Sequence, residues 1–343
     1  MKHARTLTAA AVAGALWVAA PTTASAQETL RWHSMGQASA DTIFTIAVSE
    51  ILREELGLRF QITTGRPITR QILDAANNEL ELWTSASSVN HFMQTGSNMF
   101  AEMQDAPELF KNVRMLLNYP LGAYHIVTWA DSGIETLADI EGKRVFLGPP
   151  AGAAAVVAAQ LVDGATGFVA GEDFTWVQLD WVSGIQAFQD RQVDVHFSPT
   201  SIPSPDMVQL ATMGRIRLLG VPDDRLDTEG VQAATAIPGR MVVQIGPDVY
   251  GDNQVNTEPV NTVQTMVGIG TNRFMDEERA YQITRLVFEN VDRLAEEAQW
   301  MRVISPETAL EEMNAPLHMG AYRYYRELGI EVPEALLPPE LTE

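Results

Sequence analysis

The stretch "VFLGPPAGAAAVVAAQL", Val145–Leu161, decides the fold class. An apolar run ends at Gly148-Pro149-Pro150, and an alanine-rich run with the composition of a helix follows. A strand, a tight turn and a helix start in close succession make a βα unit. Backbone N–H groups stand open at such a helix start, where the helix dipole favours an anion. The same geometry also serves as a plain turn, so this loop alone leaves both readings open.

The alternation continues upstream. "LRWHS" (Leu30–Ser34), "LRFQITT" (Leu58–Thr64) and "LELWTSA" (Leu80–Ala86) read as strands. Between them, "TIFTIAVSEILREEL" (Thr42–Leu56) carries Ile43, Ile46, Ala47, Ile51 and Leu52 near the helical period. "ITRQILDAANN" (Ile68–Asn78) is a second helix, entered through Pro67. This βαβαβ order predicts a parallel sheet with helices on both faces.

The rhythm breaks at "VRMLLNYPLGAYHIVTWADSG", Val113–Gly133, where Tyr119–Gly122 separates two strand-like runs without a helix. Downstream, βα alternation resumes: strands at Phe174–Asp180, Val193–Pro199 and Ile216–Pro222, helices at Ser183–Asp190 and Ser204–Gly214. A Gly/Pro/polar stretch, Gly246–Pro259, leads to a strand within Val260–Asn272. Helices are expected at Asp276–Gln299, Pro306–Met313 and Leu317–Leu328. The pattern predicts two α/β lobes, the second inserted into the first: residues 27–122 and 267–343 against 123–266. Strands near Tyr124–Ala130 and Thr262–Thr271 cross between the lobes as hinges. Ligands of such sheets bind beyond the carboxyl ends of the strands, so two facing lobes pool their loops over one cleft.

Composition narrows the function. The chain has 343 residues, 46% apolar, and a formal net charge of −21. That charge disfavours nucleic acid and anionic membrane surfaces as partners. Lys2 and Arg5, the apolar run Leu7–Ala20, Pro21 and Ala24-Ser25-Ala26 compose a secretory signal peptide over residues 1–26, cut near Gln27. The chain contains no cysteine, hence neither a disulfide nor a lipoprotein anchor. A free monomer in the periplasm is expected.

Motifs for chemistry are missing. "EGKR" (Glu141–Arg144) precedes a strand and lacks the remaining phosphate-loop residues. The histidines form no HExxH pair, and no GxSxG elbow occurs. No metal, no cofactor and no enzyme activity are therefore expected. Ser85, Ser87 and Ser88 follow the third strand and are helix-capping types or cleft hydroxyls. His125 and His196 lie near strand ends, either packed or facing the cleft. Arg66, after Gly65 at the end of the second strand, is the candidate charge partner of a carboxylate. The large apolar ring of a tryptophan makes core packing the default for Trp83, Trp129, Trp176 and Trp181.

With these elements placed, the chain resembles the TAXI-type solute receptors of tripartite TRAP transporters. "AYHIVTWADSGIETLADIEGKRVFLGPPAGAA", "TTGRPITRQILDAANNELELWTSAS" and "RQVDVHFSPTSIPSPDMVQLA" carry the resemblance, which covers nearly all of the chain after the signal peptide. It implies a type II periplasmic-binding-protein fold. It also implies a cleft closing on a small organic anion (a dicarboxylate, oxo acid or acidic amino acid) for delivery to a membrane permease. The sequence departs from the family where ligand is usually held. In "SMGQASADTIF", Asp41 and Thr42 stand in the places of paired tyrosines, and Ala38 and Ser39 in those of paired glycines. Gly152-Ala153-Ala154 replaces Ser-Gly-Thr, so backbone donors remain while hydroxyls are lost. The candidate ligand residues are Ser34, Gln37, Thr42, Arg66, Ser85, Ser87, Ser88, His125, Gly152, Ala153, Ala154, Thr200 and Ser201. A sensing role beside a membrane kinase, or an enzyme on the same fold, are the alternatives.

Overall fold

The computed structural model describes residues 29–36, 39–150 and 153–341. The signal-peptide segment, Gln37 and Gly152 lie outside the described residues. The chain opens with β1 (Thr29–His33), α1 (Ala40–Leu56), β2 (Arg59–Thr63), α2 (Ile68–Ala76), β3 (Leu82–Ala86), α3 (Ser87–Thr95) and α4 (Ala106–Phe110). The crossing strand β4 (Val113–Trp129) leads to β5 (Arg144–Phe146), α5 (Ala153–Thr166), β6 (Thr175–Trp176), α6 (Trp181–Gln189), β7 (Val195–Thr200) and α7 (Pro205–Met213). Then come β8 (Ile216–Leu219), α8 (Glu229–Thr235), β9 (Arg240–Ile245) and the returning strand β10 (Val260–Asn272). Helices α9 (Glu277–Glu289), α10 (Val291–Glu297) and α11 (Met319–Glu327) close the chain.

The two lobes repeat one topology. In the first, the strand order is β2-β1-β3-β10-β4, with β10 antiparallel to its neighbours. In the second, the order is β6-β5-β7-β4-β8, with β4 antiparallel to β7 and β8. Each lobe thus has three parallel strands, then the strand that crosses from the other lobe, then one more. This is the two-lobed type II periplasmic-binding-protein fold.

The cores separate accordingly. One apolar cluster joins Trp32, Phe44, Val48, Leu82, Trp83 and Tyr119 to Val267, Ile283, Trp300 and Tyr325. Two others, built from Tyr124 through Val263, flank the second sheet. Helix α1 buries a face partly different from the expected one: Phe44, Val48, Ile51 and Leu52 are buried, while Ile43 and Ile46 are exposed. Ser39 accepts from the Thr42 N–H at 3.2 Å and caps its start.

Several local expectations are corrected. Tyr119–Gly122 is not a break, because β4 runs straight through it. Pro120 is tolerated there because the strand changes partners at that point. Met266 opposite Pro120 ends the ladder with β10, and Ala123 opposite Thr200 opens the ladder with β7. Gly122 is required by close approach: a Cβ there would lie 2.6 Å from the carbonyl carbon of Thr200.

The helix expected at Pro306–Met313 is a run of turns. Its carbonyls are taken by other elements. Asn118 donates its backbone N–H to Ala309 and its side-chain amide to Glu311, and Ser87 Oγ donates to Glu312. The long helix over Asp276–Gln299 is divided at Asn290, whose side-chain amide donates to the Leu286 carbonyl and ends α9. The strand expected at Phe174–Asp180 shrinks to Thr175–Trp176, while α8 and β9 had no sequence expectation.

Candidate functional site

The lobes meet around two cavities on opposite faces of β4. The larger, about 480 Å³, is lined from the first lobe by Met35, Ser39 and Ala40, and by Leu121 of β4. The second lobe contributes Trp181 and Ile185 of α6, His196, Ser198, Pro199, Thr200 and Ser201 at the end of β7, and Asp206 of α7. The smaller, about 320 Å³, lies against Pro120 and Gly122, the β9 and β10 residues Val243, Gln244, Gln264 and Met266, and the turns carrying Trp300, Val303, Thr308 and Glu311. Ser201 belongs to both. Alternate residues of an extended strand point to opposite faces, which is why Leu121 lines one cavity while Pro120 and Gly122 line the other.

The first-lobe rim is braced from inside by Asp41. Its carboxylate accepts from Ser34 Oγ at 2.7 Å, the Met35 N–H at 3.0 Å, Thr84 Oγ1 at 2.7 Å and Tyr119 OH at 2.5 Å. Burial, then the neighbouring Asp41 charge, holds the Tyr119 phenol well above its ordinary pKa. Ser34 and Thr42, both expected at the ligand, are instead buried, with their hydroxyl oxygens 2.6 Å apart. Neither is among the described residues lining these two cavities; both hold the loop whose Met35 and Ser39 line the larger one.

The remaining candidates divide. Arg66 donates to Asp74 at 3.0 Å, and Arg70 pairs with the same carboxylate at 2.8 Å. Arg66 is absent from both sets of lining residues. The capping reading of the serines is overturned, since Ala86 holds the N-cap position of α3 with no side-chain bond. Ser85 exchanges hydrogen bonds with Asn90, and Ser87 donates to the Glu312 carbonyl at 2.6 Å. These side chains tie β3 to its own helix and to the C-terminal turns; Ser88 is half-buried. Ala153 opens α5, and the Ala154 carbonyl accepts from Tyr124 OH at 3.3 Å. Thr200 and Ser201 do line the larger cavity.

The two histidines exchange their expected importance. His125 is fully buried under Tyr250, whose hydroxyl takes a hydrogen bond from the Ser204 N–H at 3.1 Å. That hydroxyl therefore donates to His125 Nε2 at 2.5 Å, and His125 Nδ1–H donates to the Ala123 carbonyl at 3.0 Å. Burial pushes the His125 pKa down to about 4. His196 lines the larger cavity, stacks on Phe146 at 4.8 Å, and has no partner for either ring nitrogen. Burial pushes its pKa down to about 3, so the ring is neutral. Sequence placed both at strand ends; only packing separates them.

Trp181 also escapes its expected core role. It is 39% exposed, stands edge-on to Phe146 at 5.6 Å, and lines the cavity. Gly148 makes room for it: at φ +119, a Cβ there would meet the indole Cη2 at 3.2 Å. Among the described residues no group of His, Cys, Asp and Glu is arranged to hold a metal ion.

Solved structures with a similar course of chain include the periplasmic aliphatic sulphonate binding protein SsuA from Escherichia coli. It is 12% identical, with 91% of this chain and 90% of that chain covered and a TM-score of 0.44. A binding protein component of a phosphonate ABC transporter from Pseudomonas aeruginosa is 10% identical, covers 80% of each chain and has a TM-score of 0.43. A TRAP periplasmic solute binding protein from Ochrobactrum anthropi is 11% identical, with 91% and 84% covered and a TM-score of 0.41. A protein-family model matches residues 42–329, most of both lobes, and on that match the chain belongs to the NMT1-like family.

Proposed function

We propose that this chain is the periplasmic solute receptor of a TRAP-type transporter, of the TAXI kind, exported by a cleaved signal peptide over residues 1–26. It acts as a monomer without chemistry of its own. Its lobes are assigned as residues 27–122 with 267–343, and residues 123–266. A small organic solute seats between them, and the closed form is presented to the membrane permease. The observation that carries this reading is the larger cavity, lined by the loop after β1 on one side and by β7 and α6 on the other. Its volume of about 480 Å³ falls in the range of small-molecule sites.

One carboxylate of the solute can be met by Thr200 and Ser201, which line the larger cavity, once their hydroxyls turn away from Ser204 Oγ and the Pro203 carbonyl. A second carboxylate has no side-chain cation to meet it. Arg66 is engaged by Asp74, and no lysine or arginine lines either cavity among the described residues. The reading therefore favours a monocarboxylate over a dicarboxylate. Closure bends β4 and β10, the strands shared by the two lobes. Thermal shift against organic solutes, followed by small-angle scattering with the stabilising solute, tests it. A raised melting temperature with a smaller radius of gyration is expected. An unchanged radius at saturation would refute closure between the lobes.

A further inference from the structure

Resting on that receptor reading, we propose that the solute carries a cationic nitrogen, seated against Trp181 with Asp206 as its counter-charge and His196 as a hydrogen-bond partner. Three independent observations meet in one cavity. Asp206 is the only formally charged side chain among its described lining residues, and it makes no ion pair or side-chain hydrogen bond there. A site that accepted only anions would present the opposite charge.

Trp181 supplies the second observation. An indole 39% exposed at the mouth of a cavity contributes little to a core. It does offer the ring that best attracts an ammonium or quaternary nitrogen. His196 supplies the third. It is 2% exposed, and both ring nitrogens lack partners within the protein. A neutral imidazole always carries one acceptor nitrogen, which suits the N–H or O–H donors of a polar solute. The surroundings act in the same sense, since a chain of net charge −21 raises the local concentration of cations over that of dianions. The aromatic ring of α6 and the carboxylate of α7 on one wall of the cavity together describe a seat for a cationic nitrogen.

The test is a matched pair of four-carbon probes. γ-Aminobutyrate carries one amine and one carboxylate, and succinate carries two carboxylates; choline is added as a quaternary ammonium without a carboxylate. Melting temperature is read by fluorimetry at millimolar probe, and Kd by calorimetry for any probe that shifts it. Stabilisation by γ-aminobutyrate or choline and none by succinate is expected. Asp206→Asn and Trp181→Ala should then each weaken the amine probe about tenfold or more. Both residues are exposed, so the melting temperature of the probe-free variants should stay put, which separates a seat from a structural role. Stabilisation by succinate alone overturns the amine seat and leaves the receptor reading standing. An amine probe that binds Asp206→Asn as well as wild type overturns the placement. Failure of every probe, with no contraction in scattering, overturns both readings.

Discussion

Replacing Asp41 by alanine tests whether a single buried carboxylate sets the first-lobe wall of the cleft. The carboxylate is the common acceptor for Ser34, Met35, Thr84 and Tyr119, which belong to the end of β1, the loop after it, β3 and β4. All but the Met35 amide are side-chain hydroxyls of residues at most 1% exposed. Each buried donor stripped of its acceptor costs about 1–3 kcal/mol, and hydroxyls that can turn elsewhere sit at the low end of that range. Ser34 has such an outlet in Thr42, whereas the Met35 N–H has none. Asp41→Ala should therefore destabilise the first lobe by about 3–5 kcal/mol. Asp41→Asn keeps an oxygen where Ser34, Met35 and Thr84 donate, and turns an amide toward the Tyr119 oxygen, which can accept. Its cost should be about 1–2 kcal/mol, the loss of charge assistance. Urea unfolding followed by tryptophan fluorescence reports on this place, because Trp300 stacks on Tyr119 at 6.0 Å. A loss under about 1 kcal/mol in Asp41→Ala, or equal losses in the two variants, refutes the reasoning.

Other consequences follow from the same contacts. His125 and His196 have pKa values lowered to about 4 and about 3. The unfolded chain therefore binds protons below its ordinary histidine pKa while the folded chain does not, and stability falls as pH drops from about 6.5 toward 4; equal or greater urea stability at pH 5 than at pH 7 contradicts this. Arg66→Ala should change solute affinity by less than about twofold and stability by less than about 1 kcal/mol, since its pair with Asp74 is half-exposed and Arg70 stays on that carboxylate; calorimetry showing a loss of tenfold returns Arg66 to the site. Gly122→Ala should cost about 1–3 kcal/mol by forcing β4 from the Thr200 backbone, and wild-type stability in thermal unfolding would show that the strands part freely there.

Sequence by itself determined the α/β class and the two strands that join the lobes, because these rest on apolar periodicity and on the order of elements. Thr200 and Ser201, named among the candidate ligand residues, line the larger cavity, though their hydroxyls donate to Ser204 Oγ and the Pro203 carbonyl. What the sequence could not determine was which polar side chains are spent inside the protein. Arg66, Ser34, Thr42, Ser85 and Ser87 have the right chemistry near the right ends of strands, yet their bonds go to Asp74, Asp41, Ser34, Asn90 and Glu312. Four of these partners lie within eight positions and one lies more than two hundred positions along the chain; in every case the turn of the backbone, not the residue type, brings the pair together. The same holds for the histidines: His125 and His196 are equivalent in the sequence, and only the packing of Tyr250 over one and of Phe146 beside the other decides their roles. The apparent break at Tyr119–Gly122 was misread for a related reason, because proline and glycine interrupt a strand only where a ladder needs their N–H or a side chain. Tertiary structure alone decides that β4 changes neighbours there, from β10 to β7, and can accept both.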